Sequence, residues 1–519
     1  MSLPPRSVMR IALRSLSVAA VLVAIIPARH ALSRGTELPV DADDAPVLTP
    51  AQTMASYRLP AGYKLELVAA EPLVQDPVAI DFDPDGRMYV VEMRAFMPNL
   101  AGTGEDRPIG RIVVLEDTNE DGRMDKKTVF LDSLVLPRSV KVLSQGVLVA
   151  ETPNLWLARD TNSDGKADTK ELVRDDYGTK QSNPEHNANG LVWGLDNWIH
   201  NANYVGEFRM RGGKLEYRRT PSEGQWGLSM DSYGRFYRNS NEDPLHVDLV
   251  SEHYGARSAR QATVRGLYER IIPNVEVFPA HATPAVNRGY QPQVLRADST
   301  LVRFTSASSP TAYVGDRLPA TLRENVFVTE PAGNLVGRFV ISEDSSGMLV
   351  ARTGEERPSF LASKDVRSRP VFTTTAPDGT LYVVDMYRGI IQHKGYMTEY
   401  LRDYVQTHEL AQPNSFGRVY RVMHQSTKRD TTPLPGATSR SGAGRGTLAT
   451  DNAQLVSALS HPNGWRRDTA QQLLVERGDK SVVPAVRKLA SSSTDSRARL
   501  KALWVLDGLD AIEPDDVTP

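Results

Sequence analysis

A six-bladed all-β propeller followed by a short α-helical segment is the fold this sequence predicts. Two observations carry the expectation. Between residues 59 and 423 one unit recurs six times: a short apolar strand, a Gly/Asp/Asn turn and a second β-rich strand. Beyond residue 449 the apolar spacing changes from strand-like to the 3–4 residues of a helix.

The elements follow in order. The 519-residue chain opens with Arg6, Arg10 and Arg14, then the apolar run Ser15–Ile26. That run is shorter than the ~18–20 residues a bilayer span requires and has the layout of an export signal. Residues 1–28 therefore read as a signal peptide, which makes the protein exported and periplasmic, with an uncleaved membrane anchor as the alternative. Residues 29–58 are polar and Pro-containing and read as a flexible lead-in.

The six hairpins begin at Val78, Ser139, Gly190, Trp226, Tyr313 and Pro370, and two carry Asp-Pro-Asp-Gly or Ala-Pro-Asp-Gly turns. Asp-Gly between alternating apolar runs favours a tight hairpin. A blade cannot bury its own faces, so repeated blades stack around an axis. A β-sandwich is the competing architecture, and 59–423 is long for one.

Residues 424–448 are rich in Ser, Thr, Gly and Pro, a linker composition. Residues 449–512 read as four helices, Asn452–Leu459, Gly464–Arg477, Ser481–Ala490 and Ser496–Leu509, followed by a tail at 513–519. Helix pairs of this length fit the start of a HEAT-type array. Two units are fewer than such an array needs to stand alone, so docking on the propeller is one expectation.

Composition excludes several classes. Lys+Arg 61 against Asp+Glu 63 leaves a net charge of −2 and argues against nucleic acid as a partner. With no cysteine, the chain has no disulfide, thiol nucleophile, Cys-bound zinc, iron–sulfur cluster or covalent c-type haem.

Three groups of residues could carry chemistry. Asp160, Asn162, Asp164, Lys166, Asp168 and Glu171 occupy the spacing of a calcium loop, with Gly165 at the sharp turn. Asp117, Asn119, Asp121 and Asp125 repeat it 43 residues earlier, without the twelfth-position acid. Two polar turns without metal explain the same composition. His186 and Asn187 stand just before a blade strand, where a base would sit at the propeller mouth; a structural turn is the alternative. Arg367 and Arg369, at alternate positions, would face one way from an extended segment and suit an anionic ligand; a solvated edge is the alternative. Glu92, Arg94, Arg235 and Arg238, at strand ends, would add to one polar funnel.

The segments Leu59–Arg94, His186–Ala202, Pro284–Tyr290, Tyr313–Val336 and Pro370–Arg388 resemble, in order, the PVC-type membrane-bound dehydrogenase family of planctomycetes and verrucomicrobia. His461-Pro-Asn-Gly-Trp465 resembles the HEAT segment that follows in that family. The family is distantly similar to soluble PQQ-dependent glucose/sorbosone dehydrogenases. The resemblance implies a catalytic His186, which takes a substrate hydroxyl proton while hydride passes to the quinone. It implies Asn187, Arg367 and Arg369 at the cofactor and a Ca2+ ion. Glu330-Pro-Ala-Gly-Asn334 departs from the Lys or Arg found there in the quinone enzymes. Relatives that carry electrons onward end in a cytochrome domain; here a separate acceptor such as a cytochrome c is implied.

The expected function is oxidation of a sugar or polyol hydroxyl with PQQ-type chemistry. The alternatives are a non-catalytic glycan- or protein-binding propeller and a hydrolase on a calcium propeller. Trp193, Trp198, Tyr204 and Trp226 are the aromatics a glycan would use, or else blade core.

Overall fold

The computed structural model describes residues 45–179, 184–257, 265–355, 357, 359–431 and 451–518. The signal-peptide reading, the lead-in up to residue 44 and linker residues 432–450 lie outside them.

Residues 45–58 are folded rather than a loose lead-in. Helix α1 (Pro50–Ser56) starts at a Thr49/Gln52 capping box, and strand β1 (Tyr57–Arg58) follows. Two orphan helix N–H groups thereby gain partners. Thr53 donates its hydroxyl to the buried Asp365 at 2.5 Å, which pins this segment to the propeller.

The strands then form six blades. After β2 (Tyr63–Ala70) comes blade one: β3 (Pro77–Phe82), β4 (Met88–Glu92), β5 (Gly110–Glu116) and β6 (Lys126–Leu134). Blade two is β7 (Ser139–Leu143), β8 (Gly146–Glu151), β9 (Asn154–Arg159) and β10 (Thr169–Arg174). Blade three is β11 (Asn189–Trp193), β12 (Ile199–Ala202), β13 (Gly206–Arg211) and β14 (Lys214–Arg219). Blade four is β15 (Ser229–Met230), β16 (Phe236–Arg238), β17 (His246–Asp248) and β18 (Glu269–Arg270), with the short helix α2 (Glu252–Ala256) between β17 and β18.

Blade five is β19 (Ser308–Ala312), β20 (Val326–Glu330), β21 (Leu335–Glu343) and β22 (Leu349–Thr353), extended by β23 (Leu361–Ser363) and β1. Blade six is β24 (Pro370–Thr375), β25 (Leu381–Asp385) and β26 (Arg418–His424). Helix α3 (Glu399–Thr407) lies in the excursion between β25 and β26. The ring closes because β2, from the start of the chain, pairs antiparallel with β26, from Tyr63↔His424 to Ala70↔Arg418.

Burial follows position in the blade. The second strands β4, β20 and β25 are buried throughout, because neighbouring blades cover both faces. The outer strands β10 and β14 are largely exposed or half-buried. The turn residues explain the hairpins: Asp83 Oδ1 accepts the amides of Asp85 and Arg87, and Gly86 takes φ +79. Asp231 accepts Tyr233 and Arg235 in the same way. Such aspartate turns mimic a backbone turn.

The four helices appear where the periodicity places them: α4 (Asn452–Ala458), α5 (Gly464–Arg477), α6 (Val483–Ser492) and α7 (Ser496–Gly508), then a short α8 (Pro514–Val517). They share a core of Leu455, Leu473, Val486 and Val505. Among the described residues no helix is long and apolar enough to cross a membrane.

Helix α5 lies across one end of the propeller axis and reaches a turn or strand end of every blade. Trp465 packs edge-on against Phe82. Gln472 donates to Val142 O, and Ser144 donates to Glu476. Gln471 donates to Leu195 O and Asn197 Oδ1, and Arg467 to Ser232 Oγ. The Gly464 amide donates to Val314 O, and Asn463, the N-cap, donates to Pro377 O. A Cβ on Gly464 would stand 2.5 Å from Val314 Cβ, so the helix start needs glycine for this approach.

Candidate functional site

Each inner strand that ends under α5 begins at the opposite end of the axis, and a cavity of about 1000 Å³ opens there. Its wall takes Val78 from β3, His186 ahead of β11, Trp226 ahead of β15, Ser308 from β19 and Arg369 ahead of β24. Loops from farther along the chain add Asn287, Gln291, Gln392 and Tyr396. Apolar residues of the blade four–five core, including Val275, Leu301 and Phe304, complete the wall.

His186 is half-buried, and burial lowers its pKa, so the imidazole is a neutral base near pH 7. Gln225 Nε2 lies 3.5 Å from His186 Nε2, and the Tyr396 ring meets the imidazole edge-on at 5.1 Å. The adjacent Glu185 is a second proton-holding group. Burial raises its carboxyl to about 7 even though it accepts from Gln392 Nε2 at 2.9 Å and from the His393 amide. The His393 ring in turn meets Glu105 at 3.1 Å. Hence Glu185 ties the 389–396 wall to the segment that carries His186.

Arg369 lines the cavity, but each of its three nitrogens already donates to a carbonyl. Nη1 donates to Pro331 O at 2.8 Å, Nη2 to Gly389 O at 2.9 Å and Nε to Arg388 O at 3.2 Å. Burial lowers its pKa to about 10, partly offset by Asp385. Arg367 does not line the cavity; it donates to Ala45 O at 2.6 Å and Gln412 O at 3.1 Å. The two arginines diverge because residues 365–368 form a turn, closed by Ser368 N to Asp365 O, before the strand begins at Pro370. Alternation applies to extended backbone, not to this turn.

Asn187 also faces away from the cavity. Its amide donates to Thr179 O at 2.7 Å and Thr152 Oγ1 at 3.2 Å, and its oxygen accepts Thr179 N and Ala188 N. The expected funnel of charged strand ends does not form. Glu92 pairs with Lys127, Arg235 with Asp231 and Arg238 with Asp248, while Arg94 donates to Ile109 O. Of the four aromatics singled out, Trp226 lines the cavity, whereas Trp193, Trp198 and Tyr204 are buried in the blades.

The two acidic loops share one hydrogen-bond pattern and lie at outer hairpins. Asp117 accepts Gly122 N and Asp160 accepts Gly165 N, each at 2.8 Å. Asn119 and Asn162 accept the amides of Asp121 and Asp164. Asp121 and Asp164 accept Arg123 N and Lys166 N, and Asp125 and Asp168 accept Thr118 and Thr161. Glu171 pairs with Arg159 at 2.7 Å.

Both loops stitch their blade to the one before: Met124 N donates to Val68 O, and Ala167 N to Phe130 O. Among the described residues, the only group of three acid or histidine ligand atoms that gathers closely is Asp196, His200 and Glu207. There Asp196 Oδ1 meets His200 Nε2 at 2.9 Å and Glu207 Oε2 meets Nδ1 at 3.2 Å. The carboxylates flank opposite nitrogens of one ring, so they clamp an imidazolium rather than converge with it on an ion. Burial lowers the His200 pKa, but Asp196 and Glu207 outweigh it and raise it to about 9.

A pyrroloquinoline quinone carries three carboxylates and needs unoccupied cationic donors. The residues of this cavity do not fit it. Arg369 already serves four carbonyls, and Arg367 faces elsewhere. Arg270 and Arg288 pair with Asp243 and Glu242. Arg303 alone among the described lining arginines has neither an ion pair nor a bound carbonyl.

Sequence reasoning missed Glu185, Gln225, Gln392 and Tyr396. Glu185 stood beside a quoted histidine; the others come from distant segments with no local signal.

Solved structures with propeller likeness include the PQQ domain of pyranose dehydrogenase from Coprinopsis cinerea, 12% identical, TM-score 0.37, covering 71% of this chain and 97% of that one. The soluble aldose sugar dehydrogenase from Escherichia coli in its apo form is 10% identical, TM-score 0.36, covering 70% and 99%. A catalytically inactive virginiamycin B lyase from Staphylococcus aureus is 13% identical, TM-score 0.32, covering 70% and 99%. Dehydrogenases and a lyase stand side by side, so this likeness says nothing of the chemistry here. No curated protein matches the sequence. The family model described as Domain of unknown function (DUF7133) matches residues 49–426, most of the chain and the whole propeller, and the chain belongs to that family.

Proposed function

We propose that the cavity is a dehydrogenase-like site that takes a sugar or polyol, with His186 as the base that accepts the hydroxyl proton. The observation that carries the reading is the placement of a neutral imidazole in the wall of the cavity, next to Gln225 and with Gln392 in the same wall. A base of lowered pKa is unprotonated at neutral pH and ready to accept a proton. Glutamine amides offer both donor and acceptor to neighbouring hydroxyls. The carbon-bound hydrogen leaves as hydride, with both electrons, to a separate two-electron organic acceptor that must enter the same cavity, and Arg367 and Arg369 are not assigned to hold it. The export expected from residues 1–28 belongs to the same reading and would place the reaction in a periplasm.

A non-catalytic glycan-binding propeller is the second reading, and the occupied guanidinium of Arg369 favours it. One experiment separates the two. The protein and His186→Ala are titrated with a panel of sugars and polyols, then assayed with an artificial electron acceptor, with and without PQQ and Ca2+. Sugar binding with turnover that is lost in His186→Ala supports the dehydrogenase. Binding without turnover in any condition supports the binding module. Saturable PQQ binding abolished by Arg369→Ala would reverse the fit argument.

A further inference from the structure

We infer that the cavity binds an oligosaccharide rather than a single sugar, and that Tyr396 is the platform for the ring next to His186. The inference rests on the reading that this cavity takes a hydroxyl-bearing ligand, and it names the size and the contact.

Size comes first. About 1000 Å³ is the upper end of the roughly 300–1000 Å³ range of small-molecule pockets. One pyranose ring would leave most of that volume to water and most of the wall without a partner.

The aromatic surface comes second. Tyr396 is 49% exposed although its ring meets His186. Its face is presented by a braced backbone: Asn287 Nδ2 donates to Tyr396 O at 2.7 Å, and Asn287 Oδ1 accepts Thr398 N at 2.8 Å. The same loop lines the cavity through Asn287, Arg288 and Gln291, and Tyr290, outside the lining, packs against Tyr400. The apolar face of a sugar ring suits an aromatic face, and tyrosine keeps a polar tip for water.

The polar wall comes third. Gln225, Gln291 and Gln392 belong to three different segments around the cavity. Uncharged amides spread in this way suit hydroxyls along a chain better than one concentrated charge.

The test uses the full chain and a panel of mono-, di- and trisaccharides of gluco, galacto, manno and xylo configuration. Affinity is read by calorimetry and by intrinsic tryptophan fluorescence, with Trp226→Phe identifying the share that comes from the cavity. The expected result is trisaccharide affinity about 3–10-fold above the matching monosaccharide, a gain that disappears in Tyr396→Ala and persists in Tyr396→Phe. A stacked ring contributes roughly 3–10-fold, so the loss should fall in that range. A melting curve checks that each variant is folded. Equal affinity for mono- and trisaccharide, with both lost in His186→Ala, would overturn the oligosaccharide inference and leave the hydroxyl site standing. Retention of the chain-length gain in Tyr396→Ala would overturn the role of Tyr396. Absence of binding by every sugar would overturn the underlying function together with this inference.

Discussion

Where α5 crosses the axis, long polar side chains meet partners inside protein. Gln471, fully buried, donates to Leu195 O and Asn197 and accepts Lys501 Nζ at 2.8 Å, while Asn197 donates to Trp504 O. At the other end of the same strands, Gln225, Gln392, Tyr396 and Arg303 face an open cavity. Two histidines of one blade repeat the contrast: His200 is clamped by two carboxylates, and among the described residues His186 meets one amide at the limit of hydrogen bonding. Satisfied polar networks hold a structure in one arrangement. Polar groups left facing a cavity are available to a ligand. The comparison makes the helical end the satisfied one and the other end the place where the proposed recognition would act.

The sharpest way to break the contrast is to break α5. Ala470→Pro, at a buried position in mid-helix, should cost about 3 kcal/mol or more, measured by urea denaturation. A drop below about 1 kcal/mol would show that the helix is not a structural part of the propeller end. Gln471→Ala should cost about 1–3 kcal/mol, because it strands Leu195 O in the interior and leaves the buried Lys501 Nζ with Asp468 as its remaining partner. The same assay reads it.

A smaller effect is expected from His200. Its folded pKa, about 9, lies above the ~6.5 of an unfolded histidine. Its contribution is thus fully present below pH 6.5 and is lost as pH rises through 9. Thermal melts between pH 6 and 10 should show wild-type stability falling over that window and His200→Gln falling less. Equal slopes would refute the imidazolium clamp.

The smallest stability effect belongs to His186→Ala, within about 0.5 kcal/mol at pH 7.5. The sign on the acid side is opposite to that of His200. The folded pKa of His186 is lowered, so the unfolded chain takes the proton first and stability falls as pH drops below ~6.5. His186→Ala should flatten that decline while removing ligand binding.

Much of this was legible in the sequence, for local reasons. The Asp-Gly turns declare their hairpins because an aspartate bonds its own backbone two residues on, and the helical segment declares itself by apolar spacing. The acidic loops read in the sequence as calcium loops, with plain turns as the alternative, and their work of joining Met124 to Val68 and Ala167 to Phe130 depends on a neighbouring blade. Arg367 and Arg369 misled because alternation was assumed across a turn. Tyr396 and Gln392 were invisible because only the ring closure brings them beside His186. The fold is written in short-range patterns, and the cavity in long-range ones.

The pairing of β2 with β26 bears on how the molecule is assembled. Tyr63 is made early and finds its partner strand only when His424 has been made. Until then the first strand of the chain has an open edge and blade six is incomplete. Closing so long a loop comes with a large entropic penalty before the contact rewards it. A chain that emerges amino terminus first must therefore hold an unclosed ring through most of its synthesis. Helix α5, which reaches all six blades, is made after β26, and it finds its full set of contacts only on a ring that has already closed.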